Sequence, residues 1–124
     1  HQSYIHRRGR PKHTDERAGH EFGVSPAASL RAPFSVWLSE RITPEQVSLA
    51  NENHRLREEA IFAGIGIGFM SSFEVKGRHD MVRNFPPQDE WSVPLWLVTH
   101  VDLHRTAKVQ AMLDQLKRLR PQPD

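Results

Sequence analysis

The sequence predicts an α/β domain built on a mostly parallel sheet flanked by helices. Three observations carry that reading. Residues 47–70, VSLANENHRLREEAIFAGIGIGFM, run strand, helix, strand. Residues 93–99, VPLWLVT, are apolar on both faces, as a central parallel strand is. Arg105–Leu119 carries a single apolar stripe at helical spacing.

Taken in order, His1–His13 is polar and basic, with Tyr4 and Ile5 its large apolar side chains. Thr14 is placed to cap a short helix, with Asp15 and Glu16 in the positive first turn. Ser25–Pro33 (SPAASLRAP) reads as loop, and Phe34–Leu38 (FSVWL) as a strand. Thr43–Glu45 is a turn, and Val47–Leu49 a short strand by alternation. Asn51 or Asn53 caps a helix from near His54, whose apolar positions are Leu56, Ala60, Ile61 and Ala63. Gly64 and Gly66 end it, and Ile67–Met70 is the next strand. Such a crossover joins parallel strands in the right-handed sense. Met81–Phe85 is expected as an edge strand stopped by Pro86-Pro87, and Val93–Thr99 as a central one. In the last helix Val109, Met112, Leu113, Leu116 and Leu119 share one face. Lys117, Arg118 and Arg120 sit at its negative end. Pro121–Asp124 should fray.

Composition bounds the function. The chain has 124 residues, 37% hydrophobic and 26% charged, which fits one globular domain or lobe. A net charge of +2 is small for a dedicated nucleic-acid binder. With no cysteine, disulfides, thiolate nucleophiles and Cys-based zinc sites are excluded. No apolar run approaches the roughly 18 residues of a membrane span. The N-terminal residues cannot be a signal peptide, so the cytoplasm is the expected compartment. Without an initiator Met the chain is expected to begin inside a longer gene product or after processing.

Five constellations invite a chemical reading. Arg7–Lys12 (RRGRPK) has the composition of an arm that enters the minor groove of A·T-rich DNA, or of a solvated basic turn. His100 and His104 stand four apart, as helical metal pairs do, but no third ligand follows at fixed spacing, so no metal is expected. GIGIG, Gly64–Gly68, follows a helix and opens a strand, the reverse of a dinucleotide fingerprint. Glu45, Glu58-Glu59 and Asp89-Glu90 face no partner across a pocket, and no Ser lies in a G-x-S-x-G elbow. Neither catalysis nor a cofactor is expected. Last, Ala50–Asn53 lies beyond a strand end and before a helix, where backbone N–H groups at His54–Leu56 could meet an anion. Plain capping explains the same residues.

Three stretches together resemble the effector-binding domain of LysR-type transcriptional regulators. Tyr4-Ile5, Gly9, Pro11 and His20 are similar to the family's Tyr-Leu…Gly-x-Pro…His entry segment. REEAIFAGIGIGFM is similar to its helix leading into a Gly-Leu-Gly-Ile strand. VPLWLVTHVDLHRTAKVQAMLDQLK resembles its closing strand and final helix. Arg17, where the family has Leu, Ser71, where Pro is frequent, and the loop Gly23–Leu30 depart from the pattern.

The resemblance implies a fold like that of type II periplasmic solute-binding proteins. Residues 1–92 would be the second lobe, and 93–124 the crossing strand and last helix returning to the first. The winged helix-turn-helix and most of the first lobe would lie outside this chain. A small effector, an anion in the expected case, would sit between the lobes of a dimer or tetramer and bias its arrangement. The strand-end residues expected to touch it are Asn51, Glu52 and Asn53, then Phe69 and Met70, then Thr99. Gly9 and Pro11 belong to the entry loop, which makes RRGRPK a basic turn on a sensor. A transport solute-binding protein and a minor-groove binder are the rival readings. The first needs an export signal. The second needs free arginines.

Overall fold

The computed structural model describes residues 1–26 and 31–119. They fall in two compact units, His1–Val93 and Pro94–Asp124. The elements are α1 (Gln2–Arg8), β1 (Phe22–Val24), α2 (Pro33–Ser39), β2 (Val47–Ala50), α3 (His54–Phe62) and α4 (Ala107–Arg118). The class is α/β, with a two-stranded parallel sheet.

In the first unit, α1 was not foreseen in a stretch read only as polar and basic. Its ends are set locally, and its anchor is not. The His1 ring accepts the Ser3 N–H at 3.1 Å, and Gly9, at φ 80°, ends the helix. Tyr4, 1% exposed, anchors it in the core. The Tyr4 hydroxyl accepts the Glu21 N–H at 2.9 Å and pairs with His20 Nδ1 at 3.2 Å. Thr14 begins no helix; instead Glu16 accepts the Lys12 N–H at 2.6 Å across a turn.

β1, also unforeseen, is the centre of the sheet. It pairs with β2 at Phe22–Val47, Gly23–Leu49 and Val24–Ala50, with an irregularity after Phe22. On its other side Phe22 bridges Ile67 in parallel, held by Gly23 N–H to Ile67 O at 2.9 Å and Ile67 N–H to Glu21 O at 2.8 Å. The crossover through α3 therefore skips one position, and β1 fills the gap. The expected strand Ile67–Met70 shrinks to this single bridge, because Phe69 leaves the row to pack among aromatic rings.

α3 follows its sequence signals closely. Asn53 Oδ1 accepts the Arg55 and Leu56 N–H groups at 2.9 and 3.4 Å. At the other end Gly64, at φ 74°, lets the Gly64 N–H reach Ile61 O and the Ile65 N–H reach Ala60 O, a Schellman closure. Gly66 has a different task from the one expected. A Cβ there would lie 2.8 Å from Glu21 O, so it lets the chain pass close to β1. Ala60 and Ile61 point inward with Phe22 and Leu38; full burial of a large apolar side chain is worth about 1.5–3 kcal/mol.

Phe34–Leu38 is helical, in α2, and not a strand. Pro33 suits a first helical position, and Phe34, Trp37 and Leu38 turn one face inward at i, i+3, i+4 while Val36 is left exposed. Met81–Phe85 forms no strand either. The carbonyls of Arg83 and Asn84, which a ladder would use, accept the Arg10 guanidinium at 2.6 and 3.1 Å.

In the second unit α4 carries the expected stripe, but Leu113 is its buried residue while Met112 and Leu119 are exposed. Residues 93–99 are not a strand, and Leu95, Trp96 and Val98 are 85%, 76% and 87% exposed. A central strand needs a neighbour on each edge, and among the described residues no strand pairs with this segment. The expected fraying of Pro121–Asp124 and the role of Arg120 fall outside the described residues.

Candidate functional site

The first unit holds a cavity of about 650 Å³. Its apolar wall follows from α2 and from the chain leaving Ile67. α2 presents Phe34 and Trp37; the outgoing chain presents Phe69 and Met70; a 3₁₀ turn at Asp89–Trp91 adds Trp91. Phe69 lies 5.3 Å from Phe34, 6.0 Å from Trp37 and 5.0 Å from Trp91, the last two edge-on. Such tilted ring pairs are favourable beyond their buried area. The Arg41 guanidinium covers Trp37 at 4.6 Å. Two polar atoms belonging to lining residues, Trp91 Nε1 and Asn84 Oδ1, are buried with no hydrogen-bond partner.

The sequence-derived site residues divide. Phe69 and Met70 line this cavity. Asn51, Glu52 and Asn53 lie together before α3 but are not among its lining residues. Asn51 Oδ1 accepts the Asn53 N–H at 2.8 Å, and Asn53 caps α3, so the Arg55 and Leu56 N–H groups are already bonded. Arg57 donates to the Asn51 and Glu52 carbonyls at 2.5 and 3.0 Å, tying the turn to the helix. Thr99 belongs to the second unit, where its hydroxyl meets His104 Nδ1 at 3.0 Å.

The basic stretch Arg7–Lys12 is a tie and not an arm. Arg7 donates to Gly64 O at 2.8 Å, Arg8 pairs with Glu21 at 2.7 Å, and Arg10 holds Arg83 and Asn84. Arg7 and Arg8 are the last residues of α1. A minor-groove arm needs extended backbone and free guanidinium groups.

One convergence had only a partial sequence signal. His54 and Glu58 lie on one face of α3, and Glu74 comes from the turn at 71–75. His54 Nε2 is 3.4 Å from Glu58 and 3.2 Å from Glu74. Glu58 is only 5% exposed. Burial pushes its carboxyl above the usual range, and the neighbouring Glu74 carboxyl adds to this. For Glu74, burial is outweighed by the Ser71 N–H and the His54 ring, which hold it low. The i, i+4 spacing of His54 and Glu58 is visible in the sequence; the partner sixteen residues beyond Glu58 is not.

Among the described residues no helix is long and apolar enough to cross a membrane. Neither a curated protein nor a solved structure matches the chain significantly. The family model of the LysR substrate binding domain matches residues 1–120. That match spans both units and includes the Tyr4–His20 anchor, α3 with its glycine corner, and α4. The chain belongs to the LysR substrate binding domain family, the effector-binding part of regulators of transcription.

Proposed function

We propose that this chain is the sensing part of a cytoplasmic LysR-type regulator and binds a small anionic effector. Residues 1–92 serve as the second lobe of a periplasmic-binding-protein-like fold, and 93–124 return to the first. DNA contact belongs to a winged helix-turn-helix outside residues 1–124. The effector favours one lobe arrangement of a homo-oligomer and so resets the DNA-binding heads; it can do so only by binding two states unequally.

The observation that carries this reading is the cavity walled by Phe69 and Met70. The rings of Trp37 and Trp91 give an effector an apolar bed, and the unpaired Trp91 N–H offers a donor to an anionic group. A donor that the protein leaves unmade costs about 1–3 kcal/mol, which a ligand can recover. Asn51, Glu52 and Asn53, in the turn before α3, and Thr99, in the segment 93–99, remain effector contacts expected from strand-end position in the intact regulator.

The test is a screen of small carboxylates and phosphates against the regulator, followed by calorimetry on the hit. Phe69→Ala and Trp91→Phe should each weaken it about tenfold, near 1.4 kcal/mol. Asn53→Ser keeps the helix cap and removes the amide, so a loss there reports contact and not folding. Undiminished affinity in Phe69→Ala and Asn53→Ser together would refute the site.

A further inference from the structure

We propose that His54, Glu58 and Glu74 form a binding site for a first-row divalent cation, with Zn²⁺ the best match. The donor set is one imidazole and two carboxylates, a set that Zn²⁺ accepts. The spacing fits. Donors bound at about 2.0–2.2 Å to one tetrahedral cation stand about 3.3–3.6 Å apart. His54 Nε2 stands 3.4 Å from Glu58 Oε1 and 3.2 Å from Glu74 Oε1, and one donor atom from each of the three residues lies within 4.8 Å of the others.

A second observation concerns Glu58 alone. Its side chain is more than nine-tenths buried, and it faces inward to this cluster. The nearest nitrogens, on His54 and Arg55, stay at 3.4 and 3.6 Å, longer than an ordinary N–H···O bond. Its other neighbour is a second carboxyl, Glu74. His54 stands within 3.4 Å of both carboxyls; with a neutral imidazole there, the two adjacent carboxyls call for a cation or a shared proton between them. Three donors from a helix turn and a loop leave a fourth coordination position for water or an anion.

The site also sets a condition. A metal on Nε2 places the ring proton on Nδ1, which now faces the Arg57 guanidinium at 3.3 Å. Arg57 must release His54 when the cation enters. It keeps the carbonyls of Asn51 and Glu52 as acceptors, so the release costs little.

The test is calorimetric titration of Zn²⁺ into the whole chain, stripped of metal with a chelator. One equivalent should bind. His54→Gln, at an exposed position, and Glu74→Gln, at a half-buried one, should each weaken binding by about tenfold or more. His100→Gln with His104→Gln should leave it unchanged, which separates this site from adventitious histidine binding. Binding that survives in both His54→Gln and Glu74→Gln, or no binding by wild type at millimolar Zn²⁺, overturns the proposal. In the latter case a shared proton alone joins the two carboxyls. The readout is metal affinity, so it stands or falls apart from the effector reading.

Discussion

The two units of the chain handle apolar residues in opposite ways. In His1–Val93, Tyr4, Phe22, Leu38, Ala60 and Ile61 are buried, and His20 and Glu58 are buried with them. In Pro94–Asp124, Leu113 is buried, while Leu95, Trp96, Leu97, Val98, Val101 and Leu103 are exposed. In sequence, residues 93–99 read as a central strand, while His1–His13 read as polar and basic. The difference teaches that an apolar pattern states what a segment can bury, and the neighbours decide whether it does. The Tyr4 region has its neighbours within the unit; segment 93–103 does not show them among the described residues.

The sharpest way to break this comparison is at Tyr4. Tyr4→Ala should cost about 3–5 kcal/mol, because it opens a cavity under α1 and strips the Glu21 N–H and His20 of their partner. Tyr4→Phe keeps the ring and should cost about 1–3 kcal/mol. Urea unfolding of each variant measures both. Equal losses would mean that the hydroxyl contacts carry the anchoring and ring packing adds nothing.

Gly66 comes next. Gly66→Ala places a Cβ 2.8 Å from Glu21 O, a backbone atom already holding the Ile67 N–H. Neither side can yield without losing the bridge, so a cost of about 1–3 kcal/mol is expected. A stability equal to wild type would show that Ile67 is not held against β1.

Glu58 sharpens the comparison through pH. Its folded-state pKa is raised, mainly by burial, so the proton it takes up stabilises the fold below the ordinary value of 4.5, and that contribution is lost as pH rises through the raised value. Glu74 runs the other way: its lowered pKa gives stability above 4.5 that is lost as pH falls. In metal-free protein Glu58→Gln should therefore raise the melting temperature at neutral pH by a few degrees, about 1 kcal/mol, and the gain should shrink in acid. A gain that does not change between pH 7 and pH 4 would mean that the carboxylate charge is not what burial penalises.

How much of this was legible in sequence follows the same physics. α3, β2 and α4 were read within two residues of their ends, because caps, glycines and stripes are local signals. α1 and β1 were missed: α1 depends on Tyr4 meeting His20 and Glu21, and β1 has three residues and draws its pairing from β2 and Ile67. FSVWL fits both a period of two and a helical face, and Pro33 with the aromatic partners of Trp37 decides for helix. At the candidate site, Phe69 and Met70 were reachable from strand-end position. Trp37, Trp91 and Glu74 were not, since the folded chain brings them in from separate elements.

The smallest expected effect tests the exposed side of the comparison. Leu95→Ser and Trp96→Ser should each change the stability of this chain by less than about 0.5 kcal/mol, as substitutions at exposed positions do. The same pair made in an intact regulator should cost more, because the proposed role of 93–99 as a crossing strand buries both side chains against a first lobe. A full burial of Leu is worth about 1.5–3 kcal/mol, so the contrast is well above the error of a urea titration. Equal and small effects in both proteins would refute the strand role, leaving VPLWLVT an exposed segment in the regulator too. Large effects in both would show that this chain already covers the segment, by self-association or within itself, and sedimentation of the two variants would tell which.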